Sequence, residues 1–144
     1  MTGLVVCAAV LILASVFGAV RALCGGRLRA RRRDGAVRLS AAELGAELGD
    51  RVTLVQFSTA SCAPCRPTRR LLADIAGTVP GAAHVEIDAD DRLELVRRLG
   101  ILRTPTVLVL DRAGQVVGRA SGQPRRAEVM AAIGTATGAS AASS

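Results

Sequence analysis

The sequence predicts an α/β domain with a central mixed β-sheet and helices on both faces, preceded by one transmembrane helix. Three observations lead to this prediction. Strand-like and helix-like segments alternate and then end in a hairpin and a last helix, an order typical of a mixed sheet between two helical layers. Residues 1–20 contain no charged side chain. Finally, the pair Cys62 and Cys65 falls where a buried strand is predicted to meet a helix.

The elements of the domain follow from local patterns. Ser40 and Glu43 have the spacing of a capping box, which predicts a helix from there to about Leu48. Residues 52–58 form a mostly apolar run with β-branched residues, as in a central strand. The other predicted elements are an edge strand at 36–39, helices at 68–76, 90–99 and 124–133, and strands at 84–88, 106–110 and 115–120.

These elements divide the chain into four parts. We expect a membrane anchor at 1–23, an Arg/Gly-rich linker at 24–36 and the folded domain at 37–134. The tail at 135–144 lacks large apolar side chains and is predicted to be disordered.

The anchor rests on the apolar run at residues 4–20, which is just long enough to span a hydrocarbon core. A cleavable signal peptide is the main alternative. It would need basic residues before the run and small residues at a cleavage site, whereas Arg21 follows the run directly. The residues before Cys24 do not fit a lipoprotein signal either. An uncleaved single-pass anchor in the cell membrane is therefore favoured.

The flanking charges predict the orientation of this anchor. Basic residues near the end of a span tend to stay in the cytoplasm. Six of them follow the apolar run and none precedes it: Arg21, Arg27, Arg29, Arg31, Arg32 and Arg33. We therefore expect the domain to face the cytoplasm, with the Arg cluster against anionic headgroups.

The net charge of +7 does not indicate nucleic-acid binding. The excess lies in residues 21–38, because the twelve Arg from Leu39 onward nearly balance eleven acidic residues. Phe17 and Phe57 are the only aromatic residues, so a surface that stacks on bases is not expected.

The cysteine pair has the arrangement of a redox site. The N-terminus of a helix carries partial positive charge, which would stabilise a thiolate at Cys62 and make it the attacking nucleophile. Cys65, one helical turn later and more covered, would resolve the mixed disulfide, and Pro64 suits a first turn. Half of a zinc site and a structural pair are the alternatives. Zinc would need further ligands, and His84 is the only histidine, so no metal and no cofactor are expected.

Residues 37–134 resemble the thioredoxin family. The features that carry the resemblance are the strand before the Cys-Ala-Pro-Cys motif, the strand at 85–88, the pair Thr104-Pro105 and the later Gly122. The resemblance implies a thioredoxin-like three-layer fold and a thiol–disulfide oxidoreductase with Cys62 and Cys65 as catalytic residues.

The resemblance also implies how a substrate is bound. In this family the proline that corresponds to Pro105 is cis and faces the disulfide, so the backbone of Thr104 would pair with an extended substrate segment. Ala63, Pro64 and Gly122 would line the same groove.

The chain departs from the family pattern beside the cysteines. Ser61 stands where the family often has Trp, and Gln56 where it often has a buried Asp. Gln56 and His84 are the candidates for proton transfer, although an amide cannot accept a proton at neutral pH. His84 could instead be an exposed or hydrogen-bonded residue at a strand end.

These observations predict a membrane-anchored enzyme that reduces protein disulfides, with a dithiol electron donor or acceptor as its redox partner. Two other functions remain open. The domain could use its groove to bind a partner without redox turnover, or it could face outward and serve cytochrome maturation or oxidative folding.

Overall fold

The computed structural model describes residues 1–24, 29–30 and 37–141, with side chains for 1–20 and 37–138. The helices are α1 (Thr2–Cys24), α2 (Ala41–Leu44), α3 (Cys65–Thr78), α4 (Leu93–Leu99) and α5 (Arg126–Ala141). The strands are β1 (Arg29–Ala30), β2 (Val52–Ser58), β3 (Ala82–Asp88), β4 (Thr106–Asp111) and β5 (Val116–Ser121).

The five strands form one mixed sheet in the order β1-β5-β4-β2-β3. β2 lies in the interior, parallel to β3 and antiparallel to β4. All seven residues of β2 are buried, as its mostly apolar sequence predicts. Cys62 and Cys65 follow shortly after the carboxyl end of this strand.

Helices cover both faces of the sheet, which confirms the predicted three layers. Alternate residues of β2 point to opposite faces. Val55 and Phe57 belong to a core cluster with Leu44 of α2 and Leu99 of α4. On the other face, a second cluster is built from β2, α3 and α5 by Val52, Leu54, Leu72, Ile75, Val129 and Ile133.

Within the part of the chain that the structure describes, one helix is long and apolar enough to cross a membrane. It is the stretch Thr2–Val20 of α1, and none of it is buried against the domain. Its large apolar side chains, such as Leu11 and Phe17, are more than half exposed.

The prediction of a disordered tail at 135–144 is wrong for residues 135–141. α5 continues through residues 135–141, and Ala136 is fully buried in the second core cluster, the one formed by β2, α3 and α5. Alanine has the highest helix propensity, and a small side chain suffices where the helix lies close to the sheet. Residues 142–144 lie outside the described part.

Two predictions at the start of the domain also need correction. The sequence predicts a strand at 36–39, but within 37–39, the part that the structure describes, Arg38 makes only a single antiparallel bridge, to Gln115. A strand pairing occurs earlier, within the predicted linker, where β1 pairs with β5. The rest of the linker, 25–28 and 31–36, lies outside the described residues.

The helix after Ser40 is shorter than predicted. The capping box is confirmed, since the Ser40 hydroxyl accepts from the Glu43 N–H and the Glu43 carboxylate accepts from the Ser40 N–H. However, the helix ends at Leu44, because Gly45 adopts a left-handed conformation with φ of 69°.

Candidate active site

Cys62 and Cys65 form a disulfide bond in the turn between β2 and α3. Cys65 begins α3 and is 2% exposed, whereas Cys62 lies in the preceding turn and is partly exposed. The N–H of Cys62 donates to the Thr59 carbonyl over 3.2 Å, and the N–H of Cys65 donates to the Cys62 carbonyl over 3.3 Å. One cysteine is thus accessible and the other covered.

The residues between the cysteines form the outer surface of this turn. Ala63 and Pro64 are both exposed, and Pro64 is the N-cap residue of α3. Its carbonyl accepts the N–H of Thr68 at 3.3 Å and the Thr68 hydroxyl at 2.9 Å. The helix therefore begins at Cys65, so Cys62 precedes its first turn.

Gln56 lies behind the covered cysteine and is fully buried. Its Nε2 donates a hydrogen bond of 2.9 Å to the Cys65 carbonyl. Its Oε1 is buried and has no hydrogen-bond partner among the residues that the structure describes. Gln56 thereby positions the backbone of the cysteine helix without offering a group that can take up a proton.

The peptide bond between Thr104 and Pro105 is cis, as the family resemblance implies. The Oγ1 atoms of Thr59 and Thr104 are 3.3 Å apart, so the loop before the cysteines contacts the cis-proline loop. Within the described ranges, neither the N–H nor the carbonyl of Thr104 makes a backbone hydrogen bond. Both groups are therefore free for another extended chain.

The end of β5 holds the cis-proline loop from the other side. The Gly122 N–H donates to the Pro105 carbonyl over 2.7 Å, and Gly122 has φ of 105°, a conformation that favours glycine. Arg103 donates to the Ser121 carbonyl over 2.5 Å. This places the predicted Gly122 beside Pro105.

Arg119 is a positioning residue that sequence reasoning missed. From β5 its guanidinium donates to the carbonyls of Leu99 at 2.6 Å and Gly100 at 2.7 Å, at the C-terminus of α4. A cation is favourable there because the end of a helix carries partial negative charge. The contact fixes the start of the loop that leads to Pro105, and no local pattern around residue 119 signals it.

A polar cluster beside the cysteine helix also escaped prediction. Arg69 of α3 makes a bidentate ion pair with Glu86 of β3, with distances of 2.5 and 2.6 Å, and the Ser58 hydroxyl donates to the same carboxylate. These hydrogen bonds, mainly those from Arg69, lower the pKa of Glu86. The cluster ties α3 to the edge of the sheet.

His84 lies away from the disulfide. It pairs with Leu54, four residues before the end of β2 at Ser58, or about 13 Å along the strand. It is half-buried, and its Nε2 has no hydrogen-bond partner among the described residues. Burial lowers the pKa of His84, so the imidazole is neutral at pH 7. The structure therefore does not bring this candidate to the sulfurs.

The family model for thioredoxin matches residues 36–135, which is more than half of the chain. The chain belongs to the thioredoxin family. The match covers β2 to β5, both helical layers and the cysteine turn, and it begins after β1.

Individual thioredoxins resemble parts of the chain. Thioredoxin H2-1 from rice (Oryza sativa subsp. japonica) is 31% identical over 72 residues, which cover 50% of this chain and 51% of the relative. The chain thus spans about half the length of this curated relative. Among solved structures, a mutant thioredoxin from Halobacterium salinarum has a TM-score of 0.55 and 25% identity, covering 62% of this chain and 76% of the other.

The crystal structure of thioredoxin f from spinach chloroplasts gives a similar result. Its TM-score is 0.54 with 25% identity, over 61% of this chain and 78% of the other. The family match begins at residue 36 and therefore does not include α1.

Proposed function

We propose that the protein is a membrane-anchored thiol–disulfide oxidoreductase that reduces protein disulfides through Cys62 and Cys65. The observation that carries this proposal is the difference in exposure between the two cysteines, in a domain of the thioredoxin family. A substrate disulfide can reach Cys62 but not Cys65, so the order of attack is determined by burial.

The reaction has two exchange steps. The Cys62 thiolate attacks one sulfur of the substrate, which forms a mixed disulfide and releases the other substrate sulfur as a thiolate. The Cys65 thiolate then attacks Cys62, which forms the intramolecular disulfide and releases the second substrate sulfur. Two electrons and two protons pass to the substrate, and an external dithiol must reduce the protein again.

The backbone around Pro105 supports binding of an extended substrate. The free N–H and carbonyl of Thr104 can pair with a substrate strand that runs past the disulfide. Ala63 and Pro64, both exposed, would contact the same segment, and Gly122 lies beside Pro105.

Two cysteine variants test the catalytic assignment. Cys62→Ser should abolish reduction of insulin, whereas Cys65→Ser should accumulate mixed disulfides that a reductant releases. Cys7→Ser, which changes the exposed cysteine of α1, is the matched control and should keep full activity. Full insulin reduction by Cys62→Ser would refute the assignment.

The binding function without turnover has its own test. The residue that favours it is Gln56. Beside Cys65 it provides an amide, where the family often has an Asp that can accept a proton. If a Cys62→Ser, Cys65→Ser double variant fully restored the wild-type phenotype to a deletion strain, binding rather than redox turnover would be the function.

The anchor and its orientation are part of the proposal. The exposed apolar stretch Thr2–Val20 supports insertion, and the Arg residues after it favour a cytoplasmic domain. Labelling of reduced Cys62 with a membrane-impermeant thiol reagent should then require permeabilised cells. Labelling in intact cells would instead favour the outward-facing domain.

A further inference from the structure

The hydrogen bonding of Gln56 is incomplete in the oxidised protein. Its side chain is fully buried, and Nε2, one end of the amide, donates to the Cys65 carbonyl over 2.9 Å. Oε1, the other end, has no hydrogen-bond partner among the described residues. A buried acceptor without a donor is unfavourable in free energy. The disulfide form thus has an unsatisfied acceptor on the side chain that bonds Cys65.

Two buried hydroxyl groups on the same side of the sheet do not supply the missing donor, because each is engaged elsewhere. In α3 the Thr68 hydroxyl donates to the Pro64 carbonyl over 2.9 Å. Ser58 lies on the same face of β2 as Gln56, and its hydroxyl donates to Glu86. The oxidised protein therefore leaves Oε1 unpaired although both hydroxyls are present.

Reduction of the disulfide creates a new donor at Cys65. While the sulfur of Cys65 is bonded to Cys62, it carries no hydrogen. An external dithiol that breaks this bond becomes a disulfide and releases two protons. Cys65 takes up one proton, the other passes to solvent, and Cys62 is left as the thiolate. Because Cys65 is only 2% exposed, its new S–H group needs an acceptor inside the protein.

An amide is suited to bond two groups of Cys65 at once, since its donor and its acceptor are attached to one carbon atom. Cys65 is the first residue of α3. In an α-helix the carbonyl points toward the C-terminus, whereas the Cα–Cβ bond tilts toward the N-terminus. The carbonyl and the sulfur of Cys65 thus leave the backbone in opposite senses. Nε2 bonds the first of these groups and leaves Oε1 for the second.

We propose that Gln56 is a positioning residue that sets the balance between dithiol and disulfide: its Oε1 accepts a hydrogen bond from the Cys65 thiol in the dithiol form and loses that partner in the disulfide form. The inference rests on the proposed redox function. The proton of the reduced pair is then held on Cys65, and the accessible Cys62 carries the negative charge. Gln56 thereby favours re-reduction by the external dithiol and lowers the driving force for substrate reduction.

Equilibration with glutathione measures this balance. The full chain in detergent carries Cys7→Ser and Cys24→Ser, so that only the Cys62–Cys65 pair reacts. Gln56→Leu removes Nε2, which affects both redox forms alike, and Oε1, which relieves only the disulfide. The equilibrium constant at neutral pH should shift about tenfold toward the disulfide, which lowers the reduction potential by about 30 mV. An unchanged constant would overturn the inference.

Thr53→Val is the matched control for a general disturbance of the core. Thr53 is also a fully buried polar residue of β2, and its hydroxyl accepts the Gly49 N–H at 2.9 Å, at the end of the strand away from the cysteines. This variant should lower the stability of the protein but leave the equilibrium constant unchanged. An equal shift in both variants would overturn the specific role of Gln56.

Raman spectroscopy observes the hydrogen bond itself and needs no redox turnover. In a Cys62→Ser protein that also lacks Cys7 and Cys24, Cys65 has the only S–H group, and its stretching frequency falls when it donates to an acceptor. We expect this frequency to lie below that of an alkanethiol in hydrocarbon solvent and to rise in Gln56→Leu. Gln56→Glu at about pH 5, where the buried carboxyl is protonated, should keep the low frequency. An unbonded S–H frequency with Gln56 in place would overturn the inference, even if Gln56→Leu does not fold.

These measurements separate the inference from the function on which it rests. If the protein with Gln56 in place reduces no insulin and exchanges no disulfide with glutathione, the redox function is wrong. If it reduces insulin while the equilibrium constant and the S–H frequency do not respond to Gln56→Leu, the role of Gln56 alone is wrong.

Discussion

The side-chain amide of Gln56 donates a hydrogen bond to the backbone carbonyl of Cys65, with 2.9 Å between Nε2 and the oxygen. The carbonyl accepts this bond, so the amide oxygen must point away, and it remains buried without a partner among the described residues. Gln56 thus positions the backbone of Cys65 but contributes no ionisable group.

This contact predicts the effect of Gln56→Glu. The site is fully buried, so burial should raise the pKa of the introduced carboxyl, and only its protonated form can donate to the Cys65 carbonyl. We expect a new ionisation between about pH 6 and 9 in the profile of insulin reduction. Gln115→Glu, at the far end of the sheet, is the control and should leave the profile unchanged. Superimposable profiles for Gln56→Glu and the parent protein would contradict this reading.

The capping box of α2 predicts a pH dependence of stability. Hydrogen bonds from the Ser40 N–H and from Arg98 lower the pKa of Glu43 from 4.5 to about 2. Because the folded state has the lower pKa, the contribution is complete above about pH 4.5 and is lost as the pH falls toward 2. Glu43→Gln should destabilise the protein by at most about 1 kcal/mol at pH 7, since the Glu43 side chain is 34% exposed and solvent screens its charge.

Urea unfolding at several pH values measures this effect. The difference between the parent protein and Glu43→Gln should shrink steadily as the pH falls from about 4.5 toward 2. The exposed Glu47 provides the control, and Glu47→Gln should match the parent protein at each pH. A difference that stays constant down to pH 2 would argue against the assigned role of Glu43.

The helical tail predicts opposite outcomes for two neighbouring residues. Ala136→Asp places a charge at a fully buried position and should cost about 3 kcal/mol or more. Thr135→Asp, on the exposed side of the same helix, should change the free energy of unfolding by less than about 0.5 kcal/mol. Chemical denaturation measures both, and two neutral substitutions would mean that the tail is disordered after all.

Replacement by alanine should have opposite effects on the stability of the protein at two glycines. Gly134 lies exposed in α5 with no atom near an added Cβ, so Gly134→Ala should stabilise the protein by about 0.5–1 kcal/mol. Gly114 has φ of 80°, and an added Cβ would lie 2.2 Å from the Leu39 carbonyl oxygen, so Gly114→Ala should destabilise it. Thermal melts compare the two, and destabilisation by Gly134→Ala would show that α5 does not tolerate the side chain.

The long strands and the cysteine turn are predictable from the sequence, because their signals are local. An apolar, β-branched run indicates a buried strand, and Cys62 with Cys65 directly after it indicates the turn. Pro105 and Gly122 are predictable only through the family resemblance. Nothing in the chain near either residue shows that Gly122 bonds the Pro105 carbonyl.

The remaining features depend on contacts that are distant in sequence. β1 contains only Arg29 and Ala30, which carry no strand signal, and its partner Arg119 lies about ninety residues later. The contact of Arg119 with the end of α4 also joins residues that are distant in sequence, and no local pattern indicates it. The tail escaped prediction because Ala136 is buried by close packing against a sheet, which composition does not reveal.

The pairing of β1 with β5 also determines how the domain should be prepared in soluble form. An unpaired strand edge exposes backbone donors and acceptors that can recruit another chain. A truncation that begins at residue 36, where the family match starts, would remove Arg29–Ala30 and keep only the Arg38–Gln115 bridge, so that the end of β5 would be left bare. β1 thus covers part of the edge of β5 and should limit self-association there. A protein that lacks only the anchor should therefore aggregate less than one that begins at residue 36.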